Sequence, residues 1–513
     1  MSNVDNACEE NGLQRGIHPW MANLIALGGI IGSCYFIGSG YLIAELGVSA
    51  AFAYIIGGII VYVVMQSFAE LLVNIPRQGS FVSYAAEFVH PLWAVANGWS
   101  YWFNWVAYVP SEAVAGGIIM IQLFGKIPFL TFGGKDFTGF FWAVLFLILI
   151  TVVNLSNVEN FGMIESVLAL LKLGAIGIFV IVAICIIVGA LGHGVGTSIL
   201  FPDGHASYRA IFPSGWFPLL SYLAIILVNF QGSEIIGLAA AETRDPEVTV
   251  PKACKQVTWR IICVFVIPIT CLVLILSRTD SGLNGSMFAA ALDKYALAYH
   301  LPWLGWIARA FAVVVLSAAF SCANSGMFGT VRSLYALAVE GLAPKVFAKI
   351  NKHGVPQNAT LFTLFCCWCV LAINIFFGAT DFYATLLSVS GFTGAICWIT
   401  ICLSQVSFRR RVIKHGYTKK DLKAAAPLSP WSPIILGVLL EAFGLLMMVF
   451  SGNKVLIYAF IASLVIIILP MVVFSIANKM GKVVLTAKLV PGEKSFDELF
   501  PDKNAVGKKA TVA

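Results

Sequence analysis

Trp20 to Ala44 reads WMANLIALGGIIGSCYFIGSGYLIA, and at its centre stand Gly28-Gly29-Ile30-Ile31-Gly32-Ser33-Cys34. At about 1.5 Å per residue, a helix of this length crosses the roughly 30 Å hydrocarbon core of a bilayer. Its middle is nevertheless a poor helix, because each interior glycine costs roughly 1 kcal/mol relative to alanine. A break at mid-membrane leaves backbone N–H and C=O groups without partners, which is tolerated only inside protein or along a cavity. Close helix packing through small residues is the simpler explanation of three glycines. A second interrupted segment argues against it.

Hydrophobic residues make up 59% of the chain and charged residues 11%. That balance excludes an ordinary soluble protein. Twelve apolar runs of spanning length are expected, near 20–44, 48–73, 93–121, 139–158, 163–191, 216–241, 261–277, 303–338, 358–378, 384–408, 431–451 and 455–477. The N-terminus is polar up to His18, and the first run lacks a convincing A-x-A site, so it reads as a retained span.

The net charge of +7 could suggest nucleic acid, but most of the 32 Lys and Arg fall in loops on one side of the expected spans. The densest cluster is Arg409-Arg410-Arg411 with Lys414, Lys419, Lys420 and Lys423. The positive-inside rule then puts both termini in the cytoplasm and gives these residues a role in topology. No nucleic-acid partner is expected; the bilayer is. The 12 cysteines sit mostly within spans and all 7 histidines in loops or span ends, so neither a disulfide framework nor a zinc site is expected.

The sixth run carries the second interruption, Val228-Asn229-Phe230-Gln231-Gly232-Ser233-Glu234-Ile235-Ile236-Gly237. The third places Pro110-Ser111-Glu112 well inside, and the fifth places Lys172 there. Glu112, Lys172 and Glu234 together would cost on the order of 9 kcal/mol in lipid unless they meet partners or water. Structural hydrogen bonding for Glu112 and snorkelling for Lys172 are the competing readings. Glu441 in the eleventh run has no evident role, and the tail beyond Met480 reads as loosely ordered.

The two interruptions lie in corresponding positions of two five-span blocks, the best sequence pointer to a transporter site in an inverted repeat. The fold class read here is an all-α polytopic membrane protein of 12 transmembrane helices, a 5+5 inverted repeat with helices 1 and 6 broken. Residues 1–19 form an N-terminal tail, 20–191 the first repeat, 216–408 the second, 431–477 two peripheral spans and 478–513 a C-terminal tail. A half-helix beginning at a break offers N–H groups to a carboxylate, and one ending there offers C=O groups to an ammonium. One broken segment therefore suits both ends of an amino acid.

Gly28-Gly29-Ile30-Ile31-Gly32-Ser33, Phe230-Gln231-Gly232-Ser233-Glu234, Ala241-Glu242-Thr243-Arg244-Asp245-Pro246-Glu247, Val250-Pro251-Lys252-Ala253 and Asn324-Ser325-Gly326 occur in order. With Gly341-Leu342-Ala343-Pro344-Lys345 and Phe408-Arg409-Arg410, they resemble the bacterial amino acid permeases of the amino acid–polyamine–organocation superfamily. The resemblance is nearest to the lysine, aromatic amino acid and GABA branch, and runs from about 13 to 480. It implies proton-coupled uptake of an amino acid. The substrate carboxylate would rest on amides of Gly32, Ser33 and Cys34, and its ammonium on carbonyls of Ile30, Phe230 and Gln231.

The resemblance also matches Lys172 to a fifth-span lysine standing where sodium sits in sodium-driven relatives. Glu234 and Glu242 match acids tied to binding or coupling, and Glu112, beside Ser111, an acid near the side-chain pocket. Cys34 replaces a common glycine, which narrows the floor of the site or limits backbone approach. An exchanger, or a transceptor that senses as well as carries, would share these features. A channel would show pore-lining rings and an enzyme a nucleophile–base or metal set. Neither pattern is present, and no cofactor is expected. Glu112 could complement a cationic side chain, so a neutral-to-cationic amino acid is favoured.

Overall fold

The computed structural model describes residues 30–155, 158–192, 194–196, 198–199, 207–235, 237, 254, 256, 259, 261–351, 355–376, 379–485, 489 and 493–503. Gly28, Gly29, Glu242 and most of the motifs at 241–247 and 250–261 lie outside the described residues.

The described chain is mainly helical, with almost no strand. In order come α1 (Cys34–Leu46), α2 (Ser49–Asn74), α3 (Phe81–Phe88), α4 (Pro91–Phe124), α5 (Thr138–Asn154) and α6 (Val158–Val188). Then follow α7 (Phe217–Ser221), α8 (Leu223–Val228), α9 (Ile261–Ile275), α10 (Met287–Ala298), α11 (Pro302–Val339) and α12 (Gln357–Ile373). The last are α13 (Ala379–Lys414), α14 (Ser432–Met447), α15 (Lys454–Lys479) and α16 (Phe496–Leu499). Among the described residues the one sheet is a two-stranded hairpin, with Thr131 opposite Asp136 and Phe132 opposite Lys135.

Six of these helices are long and apolar enough to cross a membrane, and five shorter apolar helices accompany them. Where both are described, the helices lie within a few residues of the apolar runs expected from sequence. Several side chains that are more than half exposed are aliphatic, among them Val152 on α5, Ile181 on α6, and Ile461, Val465 and Leu469 on α15. Leaving such a side chain in water forgoes about 1.5–3 kcal/mol, whereas lipid tails accept it without cost. The exposed aliphatic surface and the spanning helices make this a multi-pass membrane protein.

Helix α4 is the central post. It packs on α11, α13, α5, α15 and α12, and its aromatic run is anchored by ring N–H donors. Trp99 donates to the Leu342 carbonyl at 3.1 Å, and Trp102 to Thr363 at 3.0 Å. Pro91 opens α4, where the His90 ring accepts from the Leu92 N–H at 3.1 Å. Gly125, at φ +76°, ends it in a conformation that L side chains rarely adopt.

On the basic face a buried ion pair joins α2 to α13. Arg409 donates to both oxygens of Glu70, at 2.7 and 2.6 Å, while Gln405 and the Ala426 N–H complete the carboxylate's shell at 2.9 and 2.6 Å. Arg409 therefore has a structural partner besides the topological role read from sequence. One described stretch of the tail also departs from expectation. Residues 493–503 dock here: Phe496 and Phe500 are buried beside Phe88 and Phe408, and Arg77 donates to the Lys494 carbonyl at 2.8 Å. Apolar anchors at 496 and 500, one helical turn apart, explain why this stretch is ordered.

Candidate functional site

The described parts of both expected interruptions, Ile30–Gly32 and 229–234, fall against α4. In the first, Ile30–Gly32 are not helical and the helix starts only beyond them, at Ser33 and then α1. The Ser33 N–H at this start points to both carboxylate oxygens of Glu112, at 3.1 and 3.0 Å. A half-helix start with its positive end toward a carboxylate is electrostatically favourable. The Ser33 hydroxyl shares a hydrogen bond of 3.1 Å with Tyr383 of α13. Gly32 is required by space: a Cβ would collide with Glu112 Oε1 and lie 2.8 Å from Cys322.

Lys172 reaches the same break from α6. It is fully buried, so it does not snorkel, and its ammonium donates to the Ile31 carbonyl at 2.9 Å and to Ser321 Oγ at 2.8 Å. The Ser321 hydroxyl in turn donates to Glu165. Glu165 also accepts from Asn324 at 3.0 Å and Ser325 at 3.1 Å. The sequence reading missed Glu165. The available signal was its spacing of seven from Lys172, which puts both on one helix face, opposite the polar cluster Ser321, Asn324 and Ser325 in an otherwise apolar span.

The second interruption begins where α8 stops at Val228, and residues 229–234 run as consecutive turns. Gly232 takes φ +104°, which side chains other than hydrogen resist. Glu234 folds back to accept from the Gly232 N–H at 3.1 Å, and it also accepts from Tyr101 and Trp398, each at 3.1 Å. Gln231 donates to the Ser390 carbonyl at 3.3 Å. Phe230 packs against Phe265, ring centroids 4.7 Å apart.

Glu234 and Glu112 therefore belong to two separate polar centres. Their α4 contacts, Tyr101 and Glu112 itself, are about 16 Å apart along the helix at 1.5 Å per residue. Ser111 is buried, with its hydroxyl donating to the Tyr108 carbonyl of its own helix at 2.7 Å. Ile30, Ser33, Cys34, Glu112, Lys172, Phe230, Gln231 and Glu234 are all buried, each at most 4% exposed. A described cavity of about 370 Å³ opens instead near the far end of α1, lined by Gly47, Pro213, Arg209 and Arg278. Glu441 is buried with neither oxygen hydrogen-bonded among the described residues.

Non-helical backbone at Ile30–Gly32 and at 229–234, with a buried lysine on the first stretch and a carboxylate beside each, is the geometry that α4 gathers. The amino acid permease family profile matches residues 22–485. The chain belongs to the amino acid permease family. The Bacillus subtilis (strain 168) amino-acid permease RocC is 33% identical over 446 residues, 87% of this chain and 91% of the relative. The lysine-specific permease LysP of Escherichia coli (strain K12) is 33% identical, covering 84% of this chain and 86% of its own. The histidine permease HisP of Lactococcus lactis subsp. cremoris (strain MG1363) is 31% identical, covering 83% and 86%. This permease is thus an amino acid transporter of the membrane rather than an enzyme.

Proposed function

We propose that this permease imports an amino acid across the cytoplasmic membrane in symport with a proton. Twelve spans would form a five-plus-five inverted repeat over 20–191 and 216–408, with 431–477 peripheral and both termini cytoplasmic. The supporting observation is the Lys172 ammonium on the Ile31 carbonyl. A cation held there binds the α1 break, and its loss would release it. Glu165, reached through Ser321, supplies the countercharge. Proton occupancy of Lys172 would then govern how firmly the α1 break is tied to α6 and α11.

The substrate's carboxylate is assigned to the amides at Gly32, Ser33 and Cys34, and its ammonium to carbonyls at Ile30, Phe230 and Gln231. Glu234 and Glu242 are assigned to coupling. The substrate is a neutral-to-cationic amino acid, in keeping with relatives named for lysine and histidine. The test is uptake of a labelled amino acid panel into proteoliposomes with and without an inward proton gradient. Gradient-dependent accumulation of one panel member is expected. Uptake indifferent to the gradient but stimulated by amino acid loaded inside would make the permease an exchanger.

A further inference from the structure

The Ser33 N–H is already held by a carboxylate, and it is the protein's own. Both Glu112 oxygens lie within 3.1 Å of it, and Gly32 leaves room for Oε1 directly against the break. Any amino acid that puts its carboxylate on this amide must contend with Glu112. A single N–H does not serve two carboxylates at full strength.

We propose that Glu112 is an internal stand-in for the substrate's carboxylate, and that an amino acid binds by displacing it from Ser33. This rests on the assignment of the α1 break to the substrate carboxylate. In the exchange the Ser33 N–H···Glu112 bond breaks and Ser33 N–H···substrate forms. Two carboxylates sharing one buried space are not both ionised. The displaced Glu112 therefore takes one proton from the aqueous side by which the substrate enters and gives it up when Glu112 returns to Ser33; because Lys172 ties the same break through Ile31, this proton crosses only in the cycle that Lys172 gates.

The titratable groups facing Glu112 are Tyr108 on its own helix, Cys34 on α1, Lys172 on α6, Cys322 on α11 and Tyr383 on α13. Lys172 is the cation among them, and it is engaged by Ile31 and Ser321. The swap thus gives Glu112 a role opposite to pairing with a cationic substrate side chain. A pairing acid strengthens binding of such a substrate, whereas a competing acid weakens binding of every amino acid.

The experiment is equilibrium binding of labelled L-lysine, L-histidine and L-leucine, and of their α-amides, to the full-length protein in nanodiscs. Wild type and Glu112→Gln are compared across pH. A glutamine competes less well for the amide, because charge-assisted hydrogen bonds are the stronger ones. Glu112→Gln is expected to bind the amino acid that wild type binds about tenfold more tightly, with a flatter pH dependence. Equal or weaker binding by the variant overturns the proposal while leaving the site assignment intact. Binding of the α-amides as well as the amino acids, or binding of none of the panel, overturns the site assignment and the proposal with it. In the wild type, adding substrate should also bring up the infrared C=O stretch of a protonated carboxyl. Its absence overturns the proposal even if the variant does not fold.

Discussion

Glu165 and Lys172 stand two turns apart on one face of α6 and meet through a third residue, Ser321, whose hydroxyl accepts from Lys172 at 2.8 Å and donates to Glu165. The seven-residue spacing is about 10.5 Å along the axis, too far for direct contact along the backbone and well suited to a bridged pair. Asn324 and Ser325 complete the carboxylate's shell from the same helix as Ser321. A buried charge is costly unless paired and hydrogen-bonded, and here Ser321 hydrogen-bonds both groups and sets their opposite charges on its two sides.

Removing one partner of this pair leaves the other exposed to the full desolvation cost. Glu165→Gln should lower stability by roughly 3–5 kcal/mol, and adding Lys172→Met should recover a large part of it. Thermal unfolding of the four proteins of this cycle in detergent measures the coupling. Additive losses would show that Glu165 and Lys172 act independently.

Gly32 is predicted to be intolerant of even one methyl group. A Cβ would press on Glu112 Oε1 and approach Cys322 within 2.8 Å, from a backbone that other helices hold in place. Gly32→Ala should cut initial uptake at least about tenfold, since misplacement by about 1 Å can cost far more in a preorganised site. Uptake in proteoliposomes with matched protein content is the measurement, and near-normal rates would contradict the close approach.

The second break makes a different prediction. Gly232 sits at φ +104°, so Gly232→Ala strains the turn rather than a contact. A stability loss of about 1–3 kcal/mol is expected, with Glu234 losing the Gly232 N–H as the turn relaxes. A melting temperature equal to wild type would mean the turn re-forms without glycine.

These positions show what the sequence could and could not reveal. The non-helical stretches at 30–32 and 229–234 were legible because glycine and consecutive polar residues are anomalous inside apolar runs, and physics allows few reasons for them. Lys172 was legible for the same cause. Glu165 was not: it lies near the edge of its apolar run, and its partners are 156–160 residues away in sequence. The split between the Glu112 and Glu234 centres was equally hidden, since only the packing of α4 between the breaks reveals it. Phe496 and Phe500 passed as tail residues because their burial depends on Phe88 and Phe408.

The Glu70–Arg409 pair should matter for folding rather than selectivity. Arg409→Ala leaves a fully buried carboxylate with two of its four hydrogen bonds lost. A loss of about 3–5 kcal/mol is expected, with the order of preference among substrates unchanged. Thermal unfolding and competition uptake separate the two effects, and a changed order of preference would place this ion pair in the transport path.

Proton coupling through Lys172 is the central claim, and gradient-driven accumulation by Lys172→Ala tests it most directly. Wild type and variant are reconstituted in parallel, and both accumulation under an inward proton gradient and counterflow at equal pH are recorded. The account predicts that the variant loses accumulation while wild type concentrates substrate only when the gradient is present. Gradient-driven accumulation that survives in Lys172→Ala would contradict it and leave the lysine a structural tie between α6 and the α1 break.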